Sequence, residues 1–167
     1  MVVEKYENME DVPVSGAAID KDEVKITLRG VPDEPGTAAR VFSAIAEKNI
    51  NVDMIVQNIS DEGRTDISFT VTKADMEDAV RTTEAISADI GAGEVQSDPD
   101  VAKISVVGIG MRSHSGVAQK VFSVLAEQGT NIQMISTSEI KISCIINEKG
   151  AEKSLQAVHD AFNLGDK

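Results

Sequence analysis

Apolar and polar residues alternate along Val24, Ile26 and Leu28 against Lys25, Thr27 and Arg29, the period of two expected of a half-buried strand. A turn follows at Val31-Pro32-Asp33-Glu34-Pro35-Gly36, where Pro35 suits a first helical turn that has no use for its missing N–H. Then Ala38, Val41, Phe42 and Ile45 recur at helical spacing. Residues 51–59 and 65–72 predict two strands joined by the turn residues Asp61-Glu62-Gly63. Met76, Ala79, Val80, Thr83 and Ile86 predict a second helix, and a short strand is expected around Glu94–Ser97 before a link at Asp98-Pro99-Asp100.

The pattern then repeats. Laying Gly36 over Gly116 brings Gly30 onto Gly110, Ala38 onto Ala118 and Val41-Phe42-Ser43 onto Val121-Phe122-Ser123. Ala46-Glu47 meets Ala126-Glu127, Asn51 meets Asn131, and Met54-Ile55 meets Met134-Ile135. The ungapped match from Gly30 to Ile55 is too dense for chance, so the chain holds two copies of one unit. Past it the second copy loses about five residues, as a shorter hairpin would. Its second helix shows the cleaner stripe Ala151, Leu155, Val158, Phe162.

The order β-α-β-β-α-β predicts an α+β fold of two ferredoxin-like units, each with both helices on one face of an antiparallel sheet. The second copy ends at Phe162-Asn163-Leu164-Gly165 without a last strand, whereas Val12–Ile19 upstream has no role in the first. An unfilled sheet position leaves backbone groups unpaired. Residues about 13–19 are therefore expected to complete the second unit, with the first inserted into it. The expected division is 1–22 as the strand-donating segment, 23–98 as the first domain and 99–167 as the second. Residues 1–11 are polar, a frayed start or a docking segment.

Composition narrows the function. Of 167 residues, 28 are acidic and 16 basic, a net charge of −12 that argues against nucleic acid or an anionic membrane as partner. One cysteine cannot form an internal disulfide, which fits a cytoplasmic setting, and no apolar run approaches a membrane span. Two histidines and one cysteine leave little for a metal site, and none is expected.

The Gly108-Ile109-Gly110 stretch lacks the third glycine of a dinucleotide fingerprint, since position 113 is Ser. His114 and His159 read as surface or satisfied histidines, and Cys144, in phase with Ile140, Ile142 and Ile146, as a small core hydrophobe. No triad or acid–base pair is present, so no catalytic residue and no cofactor are expected. The loop between first strand and first helix occurs twice, as Pro32–Ala38 and Arg112–Ala118. A helix N-terminus offers unpaired N–H groups to a carboxylate, glycine allows close approach, and Asp33 beside it could pair with an ammonium group. Together these would receive a free α-amino acid. The plainer alternative is that Asp33 and Ser113 merely cap their helices. Asp53–Ser60 and Gln133–Ile140 place polar residues at a sheet edge, either solvated, lining a ligand site or paired with another subunit.

In Pro32–Phe42, Asn51–Asn58, Gly110–Ala118 and Asn131–Ser143 the chain resembles the regulatory region of aspartate kinases, a tandem pair of ACT domains. Ser136–Ile142 is particularly specific to that family, and Asn8–Gly16 resembles the junction that follows the kinase domain. The resemblance implies a feedback sensor of threonine and/or lysine that binds effectors where ACT units meet, works as a homodimer, and regulates a catalytic aspartate kinase subunit or domain. That kinase would convert ATP and L-aspartate to 4-phospho-L-aspartate, and its phosphate motifs are absent from this chain. The resemblance places effector contacts on Asp33, Pro35, Gly36, Thr37, Ala38 and Gln57, and on Asn131, Ile132, Ser136, Thr137, Ser138 and Glu139. It adds Met111, Ser113, His114 and Val117. A separate beta-type subunit and a fragment of a longer enzyme both fit, as does a non-sensing dimerisation module.

Overall fold

A computed structural model of the chain describes residues 15–58, 62–108, 114–138 and 140–162. These hold six strands: β1 (Gly16–Pro32), β2 (Ile55–Gln57), β3 (Arg64–Val71), β4 (Val95–Val107), β5 (Ile132–Thr137) and β6 (Lys141–Asn147). The helices are α1 (Thr37–Glu47), α2 (Met76–Ile90), α3 (His114–Glu127) and α4 (Ala151–Ala161). They form two compact units, one of Asp22–Asp100 and one of Met1–Lys21 with Val101–Lys167, here the inserted and the split unit.

In the inserted unit the strand order is β2-β3-β1-β4. β1 and β3 are antiparallel, with Val24 opposite Val71 and Leu28 opposite Ile67, and the register slips between Leu28 and Val31. Even-numbered residues of β1 point inward: Val24, Ile26 and Leu28 pack with Val41 and Ile45 of α1, Ala79 of α2, and Ile67, Phe69 and Val71 of β3. Phe42 meets Phe69 edge-on, ring centroids 5.5 Å apart.

In the split unit the order is β1-β4-β6-β5. Val101 opposite Asn147 and Ile104 opposite Cys144 define the β4–β6 pairing. Ala102, Ile104 and Val106 share a core with Val117, Val121 and Leu125 of α3, Ile142, Cys144 and Ile146 of β6, and Val158 of α4. The strand that the second copy lacks is filled by the start of β1, whose odd-numbered Ala17 and Ile19 pack on this core. The inward parity of β1 thus changes where it passes from one unit to the other.

Three local expectations need correction. The described part of the segment around 13–19 and the segment 24–28 form one strand, Gly16–Pro32, whose alternation of exposure runs on through Asp20-Lys21-Asp22. Of the stretch 51–59, the described residues 51–58 are strand at Ile55–Gln57 alone, and residue 59 lies outside the described residues. Asp53 and Met54 bond instead to one residue, Thr70: Asp53 N–H to its carbonyl, and Met54 N–H to its Oγ1, each at 3.0 Å. The Asp98-Pro99-Asp100 stretch is no link but part of β4. Pro99 has no N–H, and the Asp100 N–H is taken by Asp98 Oδ1 at 2.9 Å.

Candidate functional site

The loop from β1 to α1 is held at both ends. Asp33 donates its N–H to the carbonyl of Gly63 in the β2–β3 turn at 2.9 Å, and Thr37 donates to Glu34 at 3.2 Å. Gly36 is the N-cap residue of α1 at φ +88°, a left-handed conformation that favours glycine, and no side chain caps the helix. Asp33 is therefore not a cap. Its carboxylate is exposed at the loop surface, as are Pro35 and Gly36, while Thr37 and Ala38 are half-buried. Among the described residues the N–H groups of Ala38 and Ala39 have no acceptor, because Arg40 is the first to bond back, to Gly36 at 3.0 Å. An exposed carboxylate in the same loop as open helix-end amides suits a small zwitterion.

Gln57 ends β2, exposed and paired with Ile67, on the hairpin whose turn carries Gly63. The structure thus gathers Asp33, Gly36 and Gln57 onto elements anchored to a single hairpin. Sequence reasoning missed what braces them. Arg64 and Asp66 bond to backbone groups of Gly30 and Gly91, partners 27 to 36 positions away that no local motif marks.

The residues expected in the second copy are more dispersed. Asn131 is exposed just before β5 and Ile132 opens that strand, half-buried against the core. Ser136 and Thr137 end the same strand, both exposed, roughly 17 Å further along by strand rise. Ser138 follows, its N–H on the Lys141 carbonyl at 2.8 Å. Val117 is buried at 3% exposure in the core of the split unit, where it packs rather than faces solvent. His114 opens α3. Met111, Ser113 and Glu139 lie outside the described residues.

His159 Nε2 lies 3.0 Å from the carbonyl of Ala17, so it is satisfied by donating to the donated strand. Among the described residues no group of three or more His, Cys, Asp or Glu side chains could hold a metal ion, and no helix is long and apolar enough to cross a membrane. An open groove of about 710 Å³ between α1 and α2, lined by Ala44, Glu47, Lys48, Arg81 and Asp89 among others, contains none of the expected site residues.

Comparison with known proteins agrees with the two-unit fold. A family model described as the ACT domain matches residues 24–85 and 104–162, once in each unit. Aspartate kinase Ask_LysC of Stutzerimonas stutzeri is 47% identical over 164 residues, covering 98% of this chain and 40% of that protein. The chain thus spans about 40% of the length of the curated relatives it matches. A crystal structure of aspartokinase alpha and beta subunits superposes with a TM-score of 0.85 at 50% identity, over 90% of this chain and 99% of that one. The ligand-free regulatory subunit of aspartate kinase from Thermus thermophilus gives 0.85 at 46% identity over the same shares.

Proposed function

The chain belongs to the ACT-domain family, as a regulatory region of the aspartate kinase type, and on that premise we propose that it senses threonine and/or lysine for feedback control of a catalytic aspartate kinase. The observation that carries the reading is the Asp33 loop: an exposed carboxylate that does not cap the helix shares a loop with helix-end N–H groups that have no acceptor among the described residues. The α-carboxylate of the effector takes the Ala38 and Ala39 amides, Asp33 takes its ammonium group, and Gln57 addresses its side chain. Ser136, Thr137 and Ser138 on a second copy of the chain supply the facing wall of the site, where the free chain leaves them exposed.

Regulation follows from differential affinity. An effector shifts the kinase only as far as it binds one state of the assembly better than the other. By joining ACT units it stabilises the inhibited assembly. Calorimetry with L-threonine and L-lysine, alone and together, tests this, with Asp33→Ala as the variant. The expected outcome is heat for at least one amino acid in the unaltered chain, weakened in Asp33→Ala while the fold survives. At about a hundredfold excess over Kd the ligand should add about 2.7 kcal/mol of stability. Dimer mass without heat for either amino acid would instead assign the chain to dimerisation alone.

A further inference from the structure

Arg64 opens β3, where its backbone stands opposite Pro32 immediately before the Asp33 loop. Its side chain leaves that pairing and serves two distant carbonyls: Nη1 donates to Gly30 at 2.7 Å and to Gly91 at 3.0 Å. Both acceptors sit at special points of the backbone. Gly30, at φ +63°, lies where the β1–β3 register slips, and its own N–H donates to Asp66 Oδ1 at 3.0 Å. Gly91, at φ +74°, terminates α2. Just beyond, Gly93 donates to Arg29 at 2.7 Å and Arg29 donates to Glu94 at 3.0 Å. One guanidinium thus ties together the bulge that feeds the loop, the hairpin to which Asp33 is bonded, and the end of α2.

We propose that Arg64 is a positioning residue for the effector loop, setting where Asp33 and the first turn of α1 stand relative to each other; this rests on the effector reading of that loop. A guanidinium presents several donors in a fixed plane and favours the negative end of a helix, so it can bridge two carbonyls where a lysine ammonium acts as a point charge. Arg64 is exposed, so water replaces its hydrogen bonds on removal and the fold survives. What is lost is preorganisation: an unbraced loop must be ordered by the ligand.

The test uses the full chain as Arg64→Ala, Arg64→Lys and Arg81→Ala, the last removing the same charge from the surface of α2, where Arg81 pairs with Asp78, three positions away, at 3.4 Å. Each is titrated with L-threonine and with L-lysine, and amide exchange is followed at Asp33 and Gly93. Arg64→Ala should bind roughly threefold to thirtyfold more weakly than Arg81→Ala, with the two melting alike, Asp33 and Gly93 exchanging faster, and Arg64→Lys falling between. Equal affinity of Arg64→Ala and the unaltered chain overturns the positioning role and leaves the effector reading standing. Equal weakening in Arg64→Ala and Arg81→Ala overturns it too, by assigning the effect to charge alone. No binding of either amino acid by the unaltered chain overturns both.

Discussion

Ser15 donates its backbone N–H to the carbonyl of Val107 at 2.7 Å, across 92 positions of sequence, and its hydroxyl reaches the same oxygen at 3.2 Å. This contact begins the pairing that gives the split unit its last strand. The donated strand is then held to α4 at two points: Ala17 by His159, and Lys21 by Glu152, with Nζ 2.8 Å from Oε2. Unit completion therefore depends on contacts between the two ends of the described chain.

Lys21→Ala tests the second of these points through pH. The bond to Glu152 holds Lys21 above its usual 10.5, and the same bond holds Glu152 below its usual 4.5. A lowered carboxylate stabilises above its ordinary value and loses that contribution as pH falls through the folded one; a raised lysine stabilises below its ordinary value and loses it as pH rises through the folded one. The stability gap between the unaltered chain and Lys21→Ala should thus be widest between those limits and close at either extreme. Both side chains are solvent-facing, so the gap is small and shrinks with salt. Urea titrations at acid, neutral and strongly alkaline pH measure it. A gap that stays constant toward acid pH would show that this pair does not hold the donated strand to α4.

At the other end of β1, Gly93 cannot accept a side chain quietly. A Cβ there would stand 3.0 Å from the backbone oxygen of Arg29, the atom that accepts the Gly93 N–H, and backbone cannot swing away as a side-chain tip can. Gly93→Ala should cost about 1–3 kcal/mol. Gly16, with nothing within 4 Å of its added Cβ, is the control, and Gly16→Ala should be neutral or stabilising by about 0.5 kcal/mol. Urea midpoints of the two variants decide it.

The fold was readable because repetition and parity were. Val24, Ile26 and Leu28 carried the period of two and Gly36 over Gly116 the repeat, and the surplus strand upstream matched the vacancy downstream. What stayed hidden depended on partners remote in sequence. The shortening of β2 is decided by Thr70 taking both Asp53 and Met54. The continuity of β1 through Asp20-Lys21-Asp22 is decided by β4 alongside it, which no local propensity reports. At the candidate site the loop that carries Asp33 and Gly36 was legible from the glycine and helix-start pattern. Its support was not, because Arg64 and Asp66 act on backbone groups, whose identity leaves no mark in the side-chain sequence.

Cys144 is buried in the core of the split unit, and burial pushes its thiol up to about 12. The thiolate is the reactive form, so the folded chain should resist a thiol reagent at mildly alkaline pH and react once denatured. The raised thiol adds stability that is complete below its usual 9.0 and is lost as pH rises through about 12. Cys144→Ser puts a hydroxyl among Ile104, Ile142 and Ile146, with an expected loss of about 1–3 kcal/mol. Labelling at the same rate in folded and denatured chain would contradict the burial.

Ile55 and Ile135 occupy matching positions of the two copies, on β2 and β5, the outermost strands of their units, and stay 53% and 43% exposed. Each shares a sheet face with its own unit's core, since Ile55 stands opposite core Phe69 and Ile135 opposite core Cys144. An outer strand with a large apolar side chain is an invitation to pair with another chain, which soluble proteins ordinarily blunt with charge. We therefore expect the chain to associate with a second copy through these strands. Ile135→Lys, and separately Ile55→Lys, should weaken the dimer by about tenfold or more, the scale at which a central interface residue acts. Neither side chain belongs to a buried core, so melting of the isolated chain should move little. Sedimentation equilibrium over a range of concentrations reads the association constant directly. Dimers as tight in both lysine variants as in the unaltered chain would place the contact on another surface, and would separate effector binding at the Asp33 loop from pairing at the edges.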